Sequence, residues 1–319
     1  MELRVVDLET QTLAAIVEPG AGQGETDEAV GFASAVHRWP IDPVAGDELV
    51  ADLLDEGVEA VACVGSDRLL HEVISAYCRC GGHRGKGWRF WPIPAEKSLV
   101  AREVKAPQMS VEALDEEAVQ AMDWSTHRLS TLKISASAAP AATYGFSFGA
   151  GWIYGAMETM QRARGGAKEA LSALGEWTVE SVGERAQRSS ARRMTIDGRA
   201  VETNGPQGMV ATVLQKSFFG LGTPSSTARL YRGLRRRELV RQAVTPTIMG
   251  GHGGEGEPFE QVVFDGLQRW VVDGHLEGYD EHGVVALSVG PTVSVAVPQQ
   301  SLSARFGRWI KASRGSSDE

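Results

Sequence analysis

A glycine-rich loop follows an apolar strand pattern in the stretch Leu13-Ala14-Ala15-Ile16-Val17-Glu18-Pro19-Gly20-Ala21-Gly22-Gln23-Gly24. The stretch Ala60-Val61-Ala62-Cys63-Val64-Gly65-Ser66-Asp67-Arg68 repeats this arrangement with a shorter loop. A helical pattern follows each loop, and short uninterrupted apolar runs are typical of strands buried in a parallel sheet. Because an α/β sheet binds phosphate ligands at the carboxyl ends of such strands, the two loops together predict a phosphate-binding site.

The composition is typical of a globular chain, since 42% of the 319 residues are hydrophobic and 23% are charged. A net charge of −9 argues against nucleic acid as a partner, because the chain as a whole repels phosphate backbones.

The three cysteines are too few for a disulfide framework and favour a reducing compartment. We expect a cytoplasmic protein, since neither a signal peptide nor an apolar run of ~18 residues is present. Peripheral membrane contact and a homo-oligomer remain open.

Residues 1–125 alternate strand and helix patterns, which indicates an α/β domain with a doubly wound parallel sheet. The predicted strands are 13–17, 39–41, 58–64 and 90–93, and the predicted helices are 26–37, 47–56, 69–77 and 110–122. We expect the nucleotide-binding loops to belong to this domain.

Residues 126–310 change to alternating patterns and predict a second, β-rich and sandwich-like domain, followed by a disordered tail at 311–319. Two Asp-Gly pairs, at 197–198 and 273–274, predict tight hairpin turns. A strand, a turn at Gly290-Pro291 and a second strand are predicted over residues 284–297. A basic patch on a predicted helix could bind anionic lipid headgroups, although a solvated helix face has the same composition. Its members are Arg232, Arg235, Arg236, Arg237 and Arg241.

The glycines of the first loop suit a phosphate, because glycine lets backbone N–H groups approach the ligand closely. The loop lacks the Gly-Lys-Ser/Thr of a Walker A motif, and its spacing fails the Rossmann fingerprint. The other interpretation is a tight strand-to-helix turn without a ligand. A nicotinamide-dependent dehydrogenase is disfavoured by the same spacing and by the β-rich second half.

The second loop resembles a known family. Gly65-Ser66-Asp67, with the helical pattern after it, resembles the Gly-Gly-Asp-Gly-Thr loop of the diacylglycerol kinase-like family of lipid kinases. The stretch Glu18-Pro19-Gly20-Ala21-Gly22 matches that family's Asn-Pro-x-Ala/Ser-Gly loop, and Asp273-Gly274-His275 resembles its Asp-Gly-Glu strand. The resemblance implies an α/β nucleotide domain, a β-rich domain and a cleft between them.

The family's activity is implied by this resemblance and by nothing else in the sequence: ATP-dependent phosphorylation of a lipid hydroxyl, with ATP and Mg²⁺ as cofactors. The phosphates would lie against Gly20, Gly22, Gly24, Gly65 and Ser66, with Asp67 as a catalytic and magnesium-linked carboxylate. His275 stands where the family has the glutamate that would act as base. A histidine can accept a proton near neutral pH, but His275 could equally be a surface residue in a hairpin.

Several departures from the family pattern favour an alternative. Arg68 replaces a glycine and would crowd a phosphate, unless its guanidinium turns outward or itself binds the phosphate. Leu69 removes a hydroxyl, and Glu18 places a negative charge near the phosphates unless a metal intervenes. Of the family's Gly-Thr-x-Asn-Asp-Phe-Ala-Arg segment, only the Ala-Arg end survives, within residues 94–102. The alternative is a pseudokinase, an inactive relative that binds lipid or nucleotide or serves a regulatory role.

A cluster of possible metal ligands, Cys78-Arg79-Cys80-Gly81-Gly82-His83, ends the helical pattern after the second loop. It lacks a fourth zinc ligand and a standard finger spacing. The sequence therefore favours a helix that ends in a glycine loop.

Overall fold

The computed structural model describes residues 12–18, 33–85, 87–94, 98–106, 119, 123–162, 172, 190–202, 208–215, 227–234 and 256–298. The chain forms two compact units. The first contains Met1–Leu69, Arg84–Arg128 and Ser294–Glu319, and the second contains Leu70–His83 and Leu129–Val293. Several predictions lie outside the described residues: the three glycines of the first loop, the helix at 110–122 apart from Val119, the four arginines from 235 to 241, and the tail.

The first unit contains a parallel sheet. Its strands β1 (Leu13–Val17), β2 (Ala35–Arg38), β3 (Ala60–Gly65) and β4 (Arg89–Pro94) lie in the order β2-β1-β3-β4. The last residues of β14 (His275–Pro298) add a parallel neighbour to β4, with Ser294 opposite Arg89. Every residue of β3 is buried, as expected for a strand covered on both faces.

Two predicted helices begin earlier than expected, the one at 47–56 at Pro43 and the one at 69–77 at Asp67. Helix α1 (Pro43–Asp55) follows Asp42, whose side chain accepts a hydrogen bond from the N–H of Val44, and it ends before Gly57 at φ 77°. Helix α2 (Asp67–Arg79) directly follows the second loop. Helix α3 (Leu99–Glu103) is capped by Ser98.

The second unit is β-rich and mostly antiparallel. Its elements are β5 (Trp124–Ala136) from Leu129 onward, β6 (Thr143–Gly145), β7 (Ser147–Ala150), α4 (Trp152–Arg162), β8 (Arg193–Ile196), β9 (Arg199–Val201), β10 (Gly208–Thr212), β11 (Arg229–Leu234), β12 (Glu257–Pro258) and β13 (Gln261–Val272). The strands pair in the order β12-β11-β10-β7-β13-β14, β5 pairs with β14 and β6, and the β8–β9 hairpin pairs with β13. The predicted fold class is confirmed, with an α/β parallel sheet followed by a β-rich half.

Both predicted Asp-Gly hairpin turns are confirmed. Asp197 and Asp273 each adopt φ 48°, and the glycines that follow them adopt φ 77° and 93°. Positive φ at both central residues is the geometry that matches the twist of the flanking strands.

One helix prediction is wrong at its end. Residues 35–38 form strand β2, not the end of a helix at 26–37, and the predicted strand at 39–41 is displaced to these residues. Burial alternates along β2, which is the period of a strand paired along β1 rather than that of a helix. The N–H of Trp39 donates to the carbonyl of Val17 just beyond the strand.

The predicted turn at Gly290-Pro291 is also wrong, because β14 runs without interruption from His275 to Pro298. The hydroxyl of Thr131 on β5 donates to the carbonyl of Pro291 at 2.8 Å. A side chain at Gly290 would collide with Thr131, so this glycine lets two strands approach closely rather than turn the chain.

The helix predicted for the basic patch is wrong at Arg232, which lies on strand β11 and pairs with Glu257 at 3.0 Å.

The helix-end interpretation of the cysteine segment is confirmed, since α2 ends at Arg79 and Gly81 adopts φ 77°. Burial raises the pKa of the Cys78 thiol to about 12, and that of Cys63 rises for the same reason. No helix within the described residues has the length and apolar character needed to span a membrane.

Candidate functional site

The two loops leave the sheet from neighbouring strands. The strand order β2-β1-β3-β4 reverses between β1 and β3, because the chain leaves β1 on one side for β2 and returns on the other for β3. Ligands of open α/β sheets bind in the crevice at such a switch point, outside the carboxyl ends of the strands. Glu18 follows β1 there, Gly65 ends β3, and the N–H of Glu18 donates to the carbonyl of Val64 at 3.1 Å.

The Glu18 side chain lies on the second loop. Its Oε2 accepts a hydrogen bond from the backbone N–H of Ser66 at 2.8 Å, and its Oε1 accepts one from the Ser66 hydroxyl at 2.6 Å. The hydroxyl distance is in the range of hydrogen bonds to a charged carboxylate. Both residues are half-buried, so water screens these contacts only in part.

Gly65 fits tightly beneath that carboxylate. It adopts φ 156°, and a Cβ built there would lie 2.7 Å from both the Cβ and the Oε2 of Glu18. The same atom would lie 3.2 Å from a methyl group of Leu69. Glycine is required here by the backbone conformation and by the close approach of the Glu18 side chain.

Asp67 begins helix α2 and is half-buried, whereas Arg68 is exposed. A carboxylate in the first turn interacts favourably with the helix dipole. Within the described residues, no three histidine, cysteine, aspartate or glutamate side chains are grouped as a metal site. Mg²⁺ commonly takes only one or two carboxylates and completes its shell with water and phosphate oxygens, so a magnesium site does not need a larger cluster than Asp67.

The Asp-Gly-His segment lies in the second unit, and its aspartate is buried. Asp273 is 4% exposed, and its carboxylate accepts the N–H of Phe146 at 3.0 Å and that of Ser147 at 2.7 Å. The N–H of Asp273 donates in turn to the carbonyl of Ser147 at 3.0 Å. These contacts hold the β13–β14 turn against the loop between β6 and β7, which is a structural use of the carboxylate.

The sequence gives no direct indication of His71, whose Nδ1 lies 3.5 Å from Oδ2 of Asp273. Both side chains are almost fully buried. One turn further along α2, the Ser75 hydroxyl donates to the carbonyl of Tyr144 and accepts its N–H. Two polar residues four apart on the apolar face of this helix are the signal that could have indicated a buried polar cluster.

His275 begins β14 opposite Val272 and is half-buried. The adjoining carbonyl of Gly274 accepts a hydrogen bond from the Gln161 side chain of α4 at 2.9 Å. The structure therefore brings Gly65, Ser66 and Asp67 together with Glu18 in the first unit, and places His275 in the second.

No protein-family model and no curated protein matches the sequence. Solved structures do resemble it. A protein from Bacillus anthracis str. Sterne, provisionally described as a diacylglycerol kinase, superposes with a TM-score of 0.56 at 13% identity. The match covers 89% of this chain and 96% of that one. A structure described as a diacylglycerol kinase from the same organism gives a TM-score of 0.54 at 13% identity over the same shares. The resemblance predicted from the loops is confirmed at the level of architecture: this chain has the diacylglycerol kinase-like fold.

Proposed function

We propose that this protein is a lipid kinase of the diacylglycerol kinase-like type, which transfers the terminal phosphate of ATP to a lipid hydroxyl. The observation that carries the proposal is the position of Gly65, Ser66 and Asp67 at the switch point of the parallel sheet. Open α/β sheets bind phosphate ligands there. A carboxylate at that position supports nucleotide binding with a divalent ion.

The proposed roles follow from position and chemistry. The backbone of Gly65 and Ser66 would bind a phosphate, and glycines 20, 22 and 24 of the first loop would complete the cradle. Asp67 would hold Mg²⁺, which supplies neutralisation of phosphate charge when bound. His275 would accept the proton of the lipid hydroxyl, by its correspondence to the family's glutamate.

A second candidate function is a pseudokinase that binds nucleotide or lipid without transfer. The specific observation in its favour is Glu18, whose carboxylate occupies the N–H and the hydroxyl of Ser66. His275 also favours a pseudokinase, because the family has a glutamate base at this position. Such a protein would act through binding, as a regulatory or scaffolding partner.

The test separates binding from transfer. Calorimetric titration with ATP and Mg²⁺ comes first, followed by a radiolabel transfer assay on diacylglycerol and sphingoid acceptors. Asp67→Asn should abolish transfer while circular dichroism stays native. Asp52→Asn, an exposed aspartate on α1, is the matched control and should keep full transfer.

Transfer that survives in Asp67→Asn would remove the assigned role of this carboxylate. Nucleotide binding without transfer to either acceptor class would favour the pseudokinase. If no heat is detected up to millimolar nucleotide, either in wild type or in Glu18→Gln, neither nucleotide-dependent function stands.

A further inference from the structure

We propose that Glu18 is an autoinhibitory residue. Its side chain and a nucleotide phosphate cannot bind the second loop at the same time. This inference rests on the proposed function, because it concerns the regulation of the same loop. It goes beyond that function by identifying one side chain that blocks phosphate binding to the loop.

The hydrogen-bond donors of the loop are the first argument. A phosphate bound to such a loop takes hydrogen bonds from backbone N–H groups at the start of the following helix. In this structure the N–H and the hydroxyl of Ser66 both donate to the Glu18 carboxylate, at 2.8 and 2.6 Å. Glu18 therefore binds the donors that a phosphate oxygen would need.

The space around Gly65 is the second argument. The absence of a side chain on a glycine lets a ligand approach the backbone closely. At Gly65 that space is filled by Glu18, since a built Cβ would come within 2.7 Å of its Cβ and its Oε2. A phosphate can reach the backbone here only after the Glu18 side chain has moved.

Charge is the third argument. Asp67 lies in the first turn of the 13-residue helix α2, and the half-buried Glu18 adds a second carboxylate beside the same N-terminus. A phosphate placed next to that carboxylate would be repelled, and partial burial weakens the screening of this repulsion. The two anions therefore compete for one position.

The Glu18 side chain can leave Ser66 without disturbing the sheet. The backbone of Glu18 is held by its position directly after β1 and by the hydrogen bond from its N–H to the carbonyl of Val64. The side chain beyond Cβ is flexible, so rotation about its own bonds releases Ser66 while β1 stays paired with β3. The opening is a local side-chain movement.

The experiment uses inorganic tripolyphosphate as the probe, titrated calorimetrically into the full chain without a metal. Glu18→Gln keeps the shape of the side chain and removes its charge. We expect it to raise tripolyphosphate affinity about 30-fold over wild type, which corresponds to about 2 kcal/mol at 25 °C. Glu48→Gln removes an exposed carboxylate of the same unit and controls for net charge, so its affinity should equal that of wild type.

Equal affinity in wild type and in natively folded Glu18→Gln would overturn the proposal, and so would an equal gain in Glu48→Gln. If Glu18→Gln fails to fold, Glu18→Ala provides the same comparison and should gain at least as much. The transfer assay distinguishes this proposal from the kinase function. A gain in tripolyphosphate binding without transfer keeps autoinhibition and removes the kinase, whereas transfer without any gain overturns autoinhibition alone.

Discussion

Asp273→Ala removes a buried carboxylate and tests whether this residue of the Asp-Gly-His segment is a structural hydrogen-bond acceptor. The carboxylate accepts the backbone N–H groups of Phe146 and Ser147, and the residue is only 4% exposed. The alanine variant leaves both N–H groups without that acceptor in a place that water barely reaches. We therefore expect a large loss of folding stability, regardless of any catalytic role.

The magnitude follows from the two orphaned groups. A buried donor that loses its partner costs about 1–3 kcal/mol, so two of them predict a loss of roughly 2–6 kcal/mol in the free energy of unfolding. Alanine at φ 48° adds backbone strain, because a left-handed conformation is unfavourable for residues with a Cβ. This strain has to be separated from the hydrogen-bond effect.

The chain contains a matched control. Asp197 begins the other Asp-Gly turn at the same φ of 48°, and its carboxylate also accepts two backbone N–H groups, from Glu260 and Gln261. Asp197 is exposed, so water can replace its carboxylate. Asp197→Ala should carry the same strain as Asp273→Ala and a clearly smaller loss of stability.

Urea unfolding provides the assay, followed by tryptophan fluorescence, since Trp152 and Trp270 lie in the second unit. Stability changes are read from the midpoint, provided that the slope stays constant. The reasoning is refuted if the losses in free energy of unfolding for Asp273→Ala and Asp197→Ala differ by less than about 0.5 kcal/mol, because surface substitutions already vary by that amount. Asp273 would then not be a structural acceptor.

Two predictions concern the pH dependence of stability. The N–H groups of Gln261 and Glu260 hold the pKa of Asp197 below its ordinary value, so its contribution is present above about pH 4 and is lost as the pH falls through the folded pKa. Asp197→Asn should therefore be less stable than wild type at pH 7, and the gap between the two urea midpoints should narrow as the pH falls below about 4; a gap that stays constant contradicts this. Burial, and then the charge of Lys105, lower the pKa of His127. As the pH falls below about 6.5, this histidine is protonated in the unfolded chain before it is protonated in the folded protein. The free energy of unfolding therefore decreases as the pH decreases. His127→Gln should flatten this dependence between pH 7.5 and 5.5, and an equal slope in both proteins excludes His127 as its source.

Local patterns were sufficient for much of the fold. Strands β1 and β3 follow from short apolar runs, and α2 follows from helical spacing that begins directly after the loop. Both Asp-Gly turns follow from residues that tolerate positive φ. In each case the preference resides in a few neighbouring residues, so the sequence alone contains it.

Pairing between distant segments decided the elements that were predicted wrongly. Residues 35–38 are a strand because β1 provides a parallel partner for them. Gly290 and Pro291 lie within a strand because β5 passes beside them and Thr131 binds the carbonyl of Pro291. Turn-forming residues indicate a turn only when no neighbouring strand continues the pairing.

The α/β class, the position of the second loop and the negative charge of Glu18 are all evident from the order of the residues. What that charge does depends on contacts that form only in the folded protein. Glu18 and Ser66 are 48 residues apart and meet because β1 pairs with β3 in register, with Val17 opposite Val64. Likewise, Asp273 meets the N–H groups of Phe146 and Ser147 only because the chain folds back on itself. Hydrogen bonds depend on positions in space, and for residues this far apart those positions are fixed by the assembled sheet.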